Sequence, residues 1–251
     1  MPTYFLKVRY SGKNFAGFQI QDNATTVQGE VEKALQTFFK QPIPLTGSSR
    51  TDAGVHARCN YFHFKTELEH VEDAVYNLNA IISGDISVEG IYRVPDEAHS
   101  RFSAIERSYS YHIYHRKNPF LENFSWYYPY PLDLGKMNAA AELFMGKHDF
   151  TSFSKKHTQV FTNDCSIVQA VWAQEGEEMV FRVSGNRFLR GMVRALVGTM
   201  VKVGRGKLGI SEVKQILEAR NNTMADFSAP AHGLFLEDVL YPSELQIQLA
   251  R

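Results

Sequence analysis

The chain has 251 residues, 44% hydrophobic and 22% charged, a composition that fits a folded protein and excludes a disordered or fibrous one. Its 27 basic and 27 acidic side chains cancel, which excludes a uniformly basic nucleic-acid binder. Its 2 cysteines, Cys59 and Cys165, are too few for a disulfide scaffold and lack metal-ligand spacing. Residues 1–7 carry no signal-peptide pattern and no stretch reaches membrane-span length, so a cytoplasmic protein is expected.

Residues 3–10, rich in Tyr, Phe and Val, predict a strand. Gly12, Phe15, Gly17 and Phe18 mark a loop. Thr25 or Thr26 then predicts a helix N-cap, and Val27, Val31, Leu35 and Phe38 form one apolar stripe behind it. Residues 43–45 and 60–64 predict strands, 71–80 a helix and 86–94 a strand. From 107 to 115, alternation puts Tyr109, Tyr111, Ile113 and His115 on one strand face and Ser108, Ser110, His112 and Tyr114 on the other. Residues 118–131, with Pro119, Pro129 and Pro131, read as an irregular aromatic linker. A short helix over 137–145 is closed by Gly146. Residues 167–174 and 179–184 predict a hairpin around Gly176. A long helix over 186–203, a helix over 211–219 and a strand over 235–241 complete the chain. The order predicts an α+β fold, two similar α/β halves forming a largely antiparallel mixed sheet with helices. The halves are expected at 1–104 and 105–251.

The segment 47–57, Gly-Ser-Ser-Arg-Thr-Asp-Ala-Gly-Val-His-Ala, has neither helix nor strand periodicity. It sets the Asp52 carboxylate among small residues, two after Arg50 and two before Gly54. As anonymous residues these make a turn, where Asp is favoured for its local hydrogen bonds. Loops held by a rigid scaffold are also where chemistry concentrates.

Charge is uneven. From 179 to 211 there is no Asp or Glu, while Arg182, Arg187, Arg190, Arg194, Lys202, Arg205 and Lys207 accumulate. On the predicted helix Arg187, Arg190 and Arg194 share one face, opposite Leu189, Val193, Leu196 and Met200. An arginine row without acidic partners suits a polyanion. From 99 to 117, Arg101, Arg107, Arg116 and Lys117 stand against Glu106 alone. Tyr109 and Tyr111 read equally as core residues or as stacking partners for a base. No zinc spacing, phosphate-binding glycine loop or Gly-x-Ser-x-Gly elbow occurs, which lowers the odds of metal hydrolases, nucleotide hydrolases, dehydrogenases and serine hydrolases.

The run Arg50-Thr51-Asp52-Ala53-Gly54-Val55-His56-Ala57 resembles the signature of the tRNA pseudouridine synthase A family. In order along the chain, Tyr10-Ser11-Gly12, Gly17-Phe18-Gln19, Thr26-Val27-Gln28, Leu78-Asn79, Asp85-Ile86, Arg101-Phe102-Ser103-Ala104, Arg107-Ser108-Tyr109-Ser110-Tyr111, Met137-Asn138-Ala139-Ala140, His148-Asp149-Phe150, Asn186-Arg187-Phe188-Leu189, Met192-Val193-Arg194 and Ala231-His232-Gly233-Leu234 also resemble it. Ser49 stands where glycine is usual, Phe18 where tryptophan is frequent, and Ile82-Ser83-Gly84 where Leu-Pro is common.

The resemblance implies isomerisation of uridine to pseudouridine in the anticodon stem-loop of tRNA, at positions 38, 39 and 40. It implies a homodimer without metal or organic cofactor. It makes Asp52 the catalytic nucleophile, or a proton acceptor, at the sugar or base, with Arg194 as its ion partner. Arg50 would help extrude the base or meet its phosphate, and Tyr109 would stack on the uracil and assist proton transfer. Arg101, Arg187, Arg190 and Arg205 would hold phosphates, and Val55 and Leu234 would wall the pocket. Two other readings compete: a non-catalytic RNA-binding module on the same basic surface, and a cofactor-free hydrolase using Asp52 and His56.

Overall fold

The computed structural model describes residues 1–155 and 161–246. Its elements are β1 (Thr3–Tyr10), α1 (Val27–Phe39), β2 (Thr46–Gly47), β3 (His56–Lys65), α2 (Val75–Ile81), β4 (Ile86–Val94), β5 (Glu106–Tyr114), β6 (Trp126–Tyr127), α3 (Leu134–Glu142), β7 (Gly146–Asp149), β8 (Asp164–Glu175), β9 (Glu178–Gly185), α4 (Met192–Gly204), α5 (Ile210–Ala219), β10 (Leu234–Leu240) and α6 (Ser243–Gln246). Paired strands and packed helices give the expected α+β fold, mixed and mostly antiparallel. The chain divides into two compact units, Met1–Glu106 with Leu236–Arg251, and Arg107–Phe235.

In the first unit the strand order is β4-β1-β3-β10, with β2 added on β3. β1 pairs antiparallel with both β3 and β4, so its backbone groups are met on both edges. Phe5, Leu6 and Val8 are wholly buried there. The N-cap of α1 is Thr26, whose side chain accepts the Gly29 N–H at 3.2 Å. Such a cap contributes about 1 kcal/mol. Val27, Val31 and Leu35 form the buried stripe, whereas Phe38 stays partly exposed, edge-on to Phe39. The strand expected over 43–45 is displaced to β2, because Pro42 and Pro44 have no N–H to give a ladder. Ile43 and Leu45 are nevertheless buried, and side chains of α1 take up the Leu45 backbone: Glu32 accepts its N–H and Gln28 donates to its carbonyl, both at 2.9 Å. The expected helix over 71–80 opens as a tight 3-10 turn, Val71–Ala74, before α2.

In the second unit the order is β5-β9-β8-β7. β6 lies parallel on β5, with Ile113 opposite Trp126, so part of the expected irregular linker is ordered as strand. β8 and β9 form the expected hairpin, with Gly176 and Glu177 between Glu175 and Glu178. Trp172 stacks on Phe181 at 5.0 Å in the core. Helix α3 packs on α4, α5 and β8. Asn138 of α3 fastens it to β8 by accepting the Trp172 N–H at 2.8 Å and donating to the Trp172 carbonyl at 3.0 Å.

A further sequence expectation is corrected. The long helix begins at Met192, not at Asn186. Asn186 is held to β8: its N–H reaches the Ser166 carbonyl at 3.0 Å, and its side chain accepts the Ser166 N–H at 2.8 Å. Gly191 then adopts φ +74°, a left-handed turn that resets the chain before α4. Arg187 and Arg190 therefore lie on this lead-in segment, and of the three arginines only Arg194 is helical.

Candidate functional site

In the first unit the reacting candidate sits on the loop between β2 and β3. β3 starts at His56, earlier than expected, which shortens that loop to residues 48–55. Asp52 is half-buried, between buried Thr51 and exposed Ala53. The Val55 N–H bonds the Asp52 carbonyl at 3.2 Å and closes the turn. Val55 itself is buried.

Three contacts clamp this turn. The Phe18 N–H donates to the Thr51 carbonyl at 3.1 Å, and the Phe18 ring stacks on Phe62 at 4.6 Å. The Gly12 N–H donates to Nδ1 of buried His56 at 3.1 Å. Gly12 also lies so close under the Val55 carbonyl that a Cβ there would collide with it. The third clamp is Asn60, which is wholly buried. Its amide donates to the Ser49 carbonyl at 2.9 Å and to the Tyr10 hydroxyl oxygen at 3.2 Å. The Tyr10 hydroxyl in turn lies 2.8 Å from the Thr51 hydroxyl. Ser49 and Thr51, on either side of Arg50 and just ahead of Asp52, are thus tied to one buried amide, Thr51 through the Tyr10 hydroxyl. Arg50 is exposed, with its guanidinium 3.4 Å from the Gln19 side-chain oxygen. Ser49, the departure from the familiar pattern, is buried, and no hydrogen-bond partner for its hydroxyl is found among the described residues.

Within the second unit, Tyr109 is half-buried on β5 and braced edge-on by Phe188 at 5.0 Å. Tyr111, two residues on and on the same strand face, is fully buried, and its hydroxyl donates to the Pro230 carbonyl at 2.8 Å. Arg194, in the first turn of α4, donates from Nε to the Ala229 carbonyl at 2.7 Å. The segment 229–234 is thus held at its start by Arg194 and Tyr111. It is held at its end by Gly233, whose Cβ position lies 2.9 Å from both the His112 carbonyl and the Tyr111 ring. Leu234 follows, buried. Burial pushes the Tyr111 hydroxyl well above its ordinary pKa, while the Arg194 charge pulls the other way. Burial lowers the pKa of His232, opposed by a bond to the Ser125 backbone and aided by Arg194, so the ring is neutral near pH 7.

The remaining basic candidates are spread out. Arg190 is exposed and Arg187 half-exposed on the lead-in to α4. Arg205, just past α4, lies over the Tyr130 ring at 4.3 Å. Arg101 belongs to the first unit, exposed beside the Phe102 ring at 5.5 Å. Cys59 and Cys165 are both buried free thiols whose pKa burial raises to about 11. Among the described residues no cluster of His, Cys, Asp or Glu is placed to hold a metal, and no helix is long and apolar enough to cross a membrane.

Sequence reasoning passed over Asn60, Tyr10 and Gly12. Tyr10 and Gly12 stand in a motif noted above, but their partners are supplied by strand pairing, and no local pattern displays them.

A family model described as tRNA pseudouridine synthase matches residues 7–103 and 140–242. The tRNA pseudouridine synthase A of Parabacteroides distasonis is 46% identical over 248 residues, covering 98% of each chain. That of Bacteroides fragilis is 44% identical over 96% of this chain and 97% of its own. The one from Anoxybacillus flavithermus is 42% identical over 93% of this chain and 96% of its own.

Proposed function

This chain belongs to the tRNA pseudouridine synthase family, and from that premise we propose that it isomerises uridine to pseudouridine in the anticodon stem-loop of tRNA, at positions 38, 39 and 40, with Asp52 as the catalytic nucleophile. The observation that carries the reading is the Asp52 loop: a half-buried aspartate among small residues, on a chain clamped by the buried Asn60 amide.

The reaction breaks the bond from the sugar to uracil N1 and makes one to C5. The C5 hydrogen leaves as a proton and N1 ends protonated, so atoms balance without oxidant, metal or cofactor. A base in a stem has to leave the helix first, and a flipped base is held by stacking. Tyr109, braced by Phe188, presents a ring for that purpose. Arg50 meets the extruded nucleotide or its phosphate. Arg194 is the proposed ion partner of Asp52; within its own unit its Nε is bonded to the Ala229 carbonyl. Arg101, Arg187, Arg190 and Arg205 hold phosphates, which position RNA without reading its sequence. Val55 and Leu234 supply apolar walls. The enzyme works in the cytoplasm as a homodimer.

The neighbouring reading, a hydrolase with His56 as base, is disfavoured by the commitment of His56 Nδ1 to the Gly12 N–H. Incubating an unmodified tRNA transcript with the protein and mapping pseudouridine tests the substrate assignment. Modification confined to 38, 39 and 40 is expected. Modification elsewhere would overturn the stem-loop assignment, and free uracil or shortened RNA would overturn the isomerase chemistry.

A further inference from the structure

In the motif Arg101-Phe102-Ser103-Ala104 the roles above use Arg101 and leave Phe102 unassigned. Phe102 is 74% exposed. Scattered apolar side chains on a surface need no explanation. Phe102 differs because it tops a built column of rings. His63 packs on His99 at 4.3 Å between centroids, and His99 packs on Phe102 at the same distance. The Arg101 guanidinium lies 5.5 Å from the Phe102 centroid.

The turn beneath the column is stiff. His99 Nδ1 accepts the N–H groups of Arg101 and Phe102 at 3.1 and 3.4 Å. The His99 N–H donates to the Ser103 hydroxyl at 3.0 Å, and the Ser103 N–H returns to the His99 carbonyl at 2.9 Å. Ser100 is anchored on three sides: its N–H reaches His63 at 3.3 Å, its hydroxyl reaches the Thr46 carbonyl at 3.0 Å, and its carbonyl accepts the Tyr241 hydroxyl at 2.7 Å. Burial lowers the pKa of both histidines, that of His63 to about 4, so near pH 7 both rings are neutral and the guanidinium carries the charge.

A rigid, exposed aromatic ring with a guanidinium over it at 5.5 Å matches a nucleobase with its phosphate. Base–aromatic stacking is sequence-tolerant, and the cation serves the backbone. We propose that Phe102 and Arg101 form a stacking platform for an unpaired base of the bound tRNA, distinct from the reacting uridine that Tyr109 serves. This rests on the tRNA reading above.

The test is the dissociation constant of an unmodified tRNA transcript against salt, for the wild type and Phe102→Ala, Phe102→Leu, Phe102→Tyr and Arg101→Ala. Phe102→Ala and Phe102→Leu should each weaken binding roughly tenfold, with the melting temperature unchanged, and Phe102→Tyr should bind like the wild type. Arg101→Ala should also weaken binding and flatten the salt slope by about one, which the Phe102 variants should not do. Wild-type affinity in Phe102→Ala or Phe102→Leu overturns the platform, as does a change from dimer to monomer in sedimentation, which would make Phe102 a subunit contact. In each of those cases wild-type pseudouridine formation leaves the functional reading standing. A wild-type protein that neither binds nor modifies tRNA overturns both.

Discussion

At the residue scale, the chain that carries Asp52 is held by hydrogen bonds from residues outside its loop. Asn60 spends both amide hydrogens, one on the Ser49 carbonyl and one on the Tyr10 hydroxyl. A buried polar group that loses its partner costs about 1–3 kcal/mol. Asn60→Asp keeps the shape and removes both donors. It should destabilise the protein by at least that amount in urea unfolding and lower kcat more than it raises KM, because the turn bearing Asp52 loses its anchor. Tyr10→Phe should act in the same direction and more mildly. Since the two residues share one network, the double variant should cost less than the sum of the single ones. An unchanged kcat in both single variants would remove the positioning role. Asn60 was not legible beforehand. It stands at the start of a predicted strand, and its partners lie 11 and 50 residues away, brought together by the pairing of β2 and β1 with β3.

At the element scale, regular segments with strong patterns were legible and punctuated ones were not. β1, β5, the cap and stripe of α1, and the β8–β9 hairpin follow from local rules: aromatic and β-branched content, alternation, a threonine before an apolar stripe, and a glycine between two strands. The start of α4 does not. Its apolar periodicity runs back to Leu189, and nothing in that spacing reports that Asn186 is bonded to Ser166 or that Gly191 turns left-handed. That turn places Arg187 and Arg190 ahead of the helix rather than along it. Alanine at 191 must adopt φ near +74° and also press on the Lys155 side chain, whose carbons lie 3.1–3.3 Å from the Cβ position. Gly191→Ala should therefore lower stability by about 1–2 kcal/mol, seen as a lower urea midpoint at an unchanged slope. Gly191→Asn, which tolerates that conformation better, should cost less. An alanine variant as stable as the wild type would show that the turn is not held at this glycine.

At the scale of the whole molecule, a chain of zero net charge is read as handling a polyanion because its charges are segregated: 179–211 holds seven basic residues and no acid. The family was legible from an ordered set of motifs spread along nearly the entire chain, and the match over residues 7–103 and 140–242 bears it out. The carboxylate loop was legible as a candidate, and its clamps came only with the fold. The central claim is that Asp52 performs the chemistry. It is tested most directly by tritium release from 5-tritiated uridine in tRNA, comparing the wild type with Asp52→Asn at matched tRNA occupancy. The account predicts release by the wild type and none above background from Asp52→Asn, with tRNA affinity and melting temperature preserved. Release by Asp52→Asn at a rate near that of the wild type would contradict it.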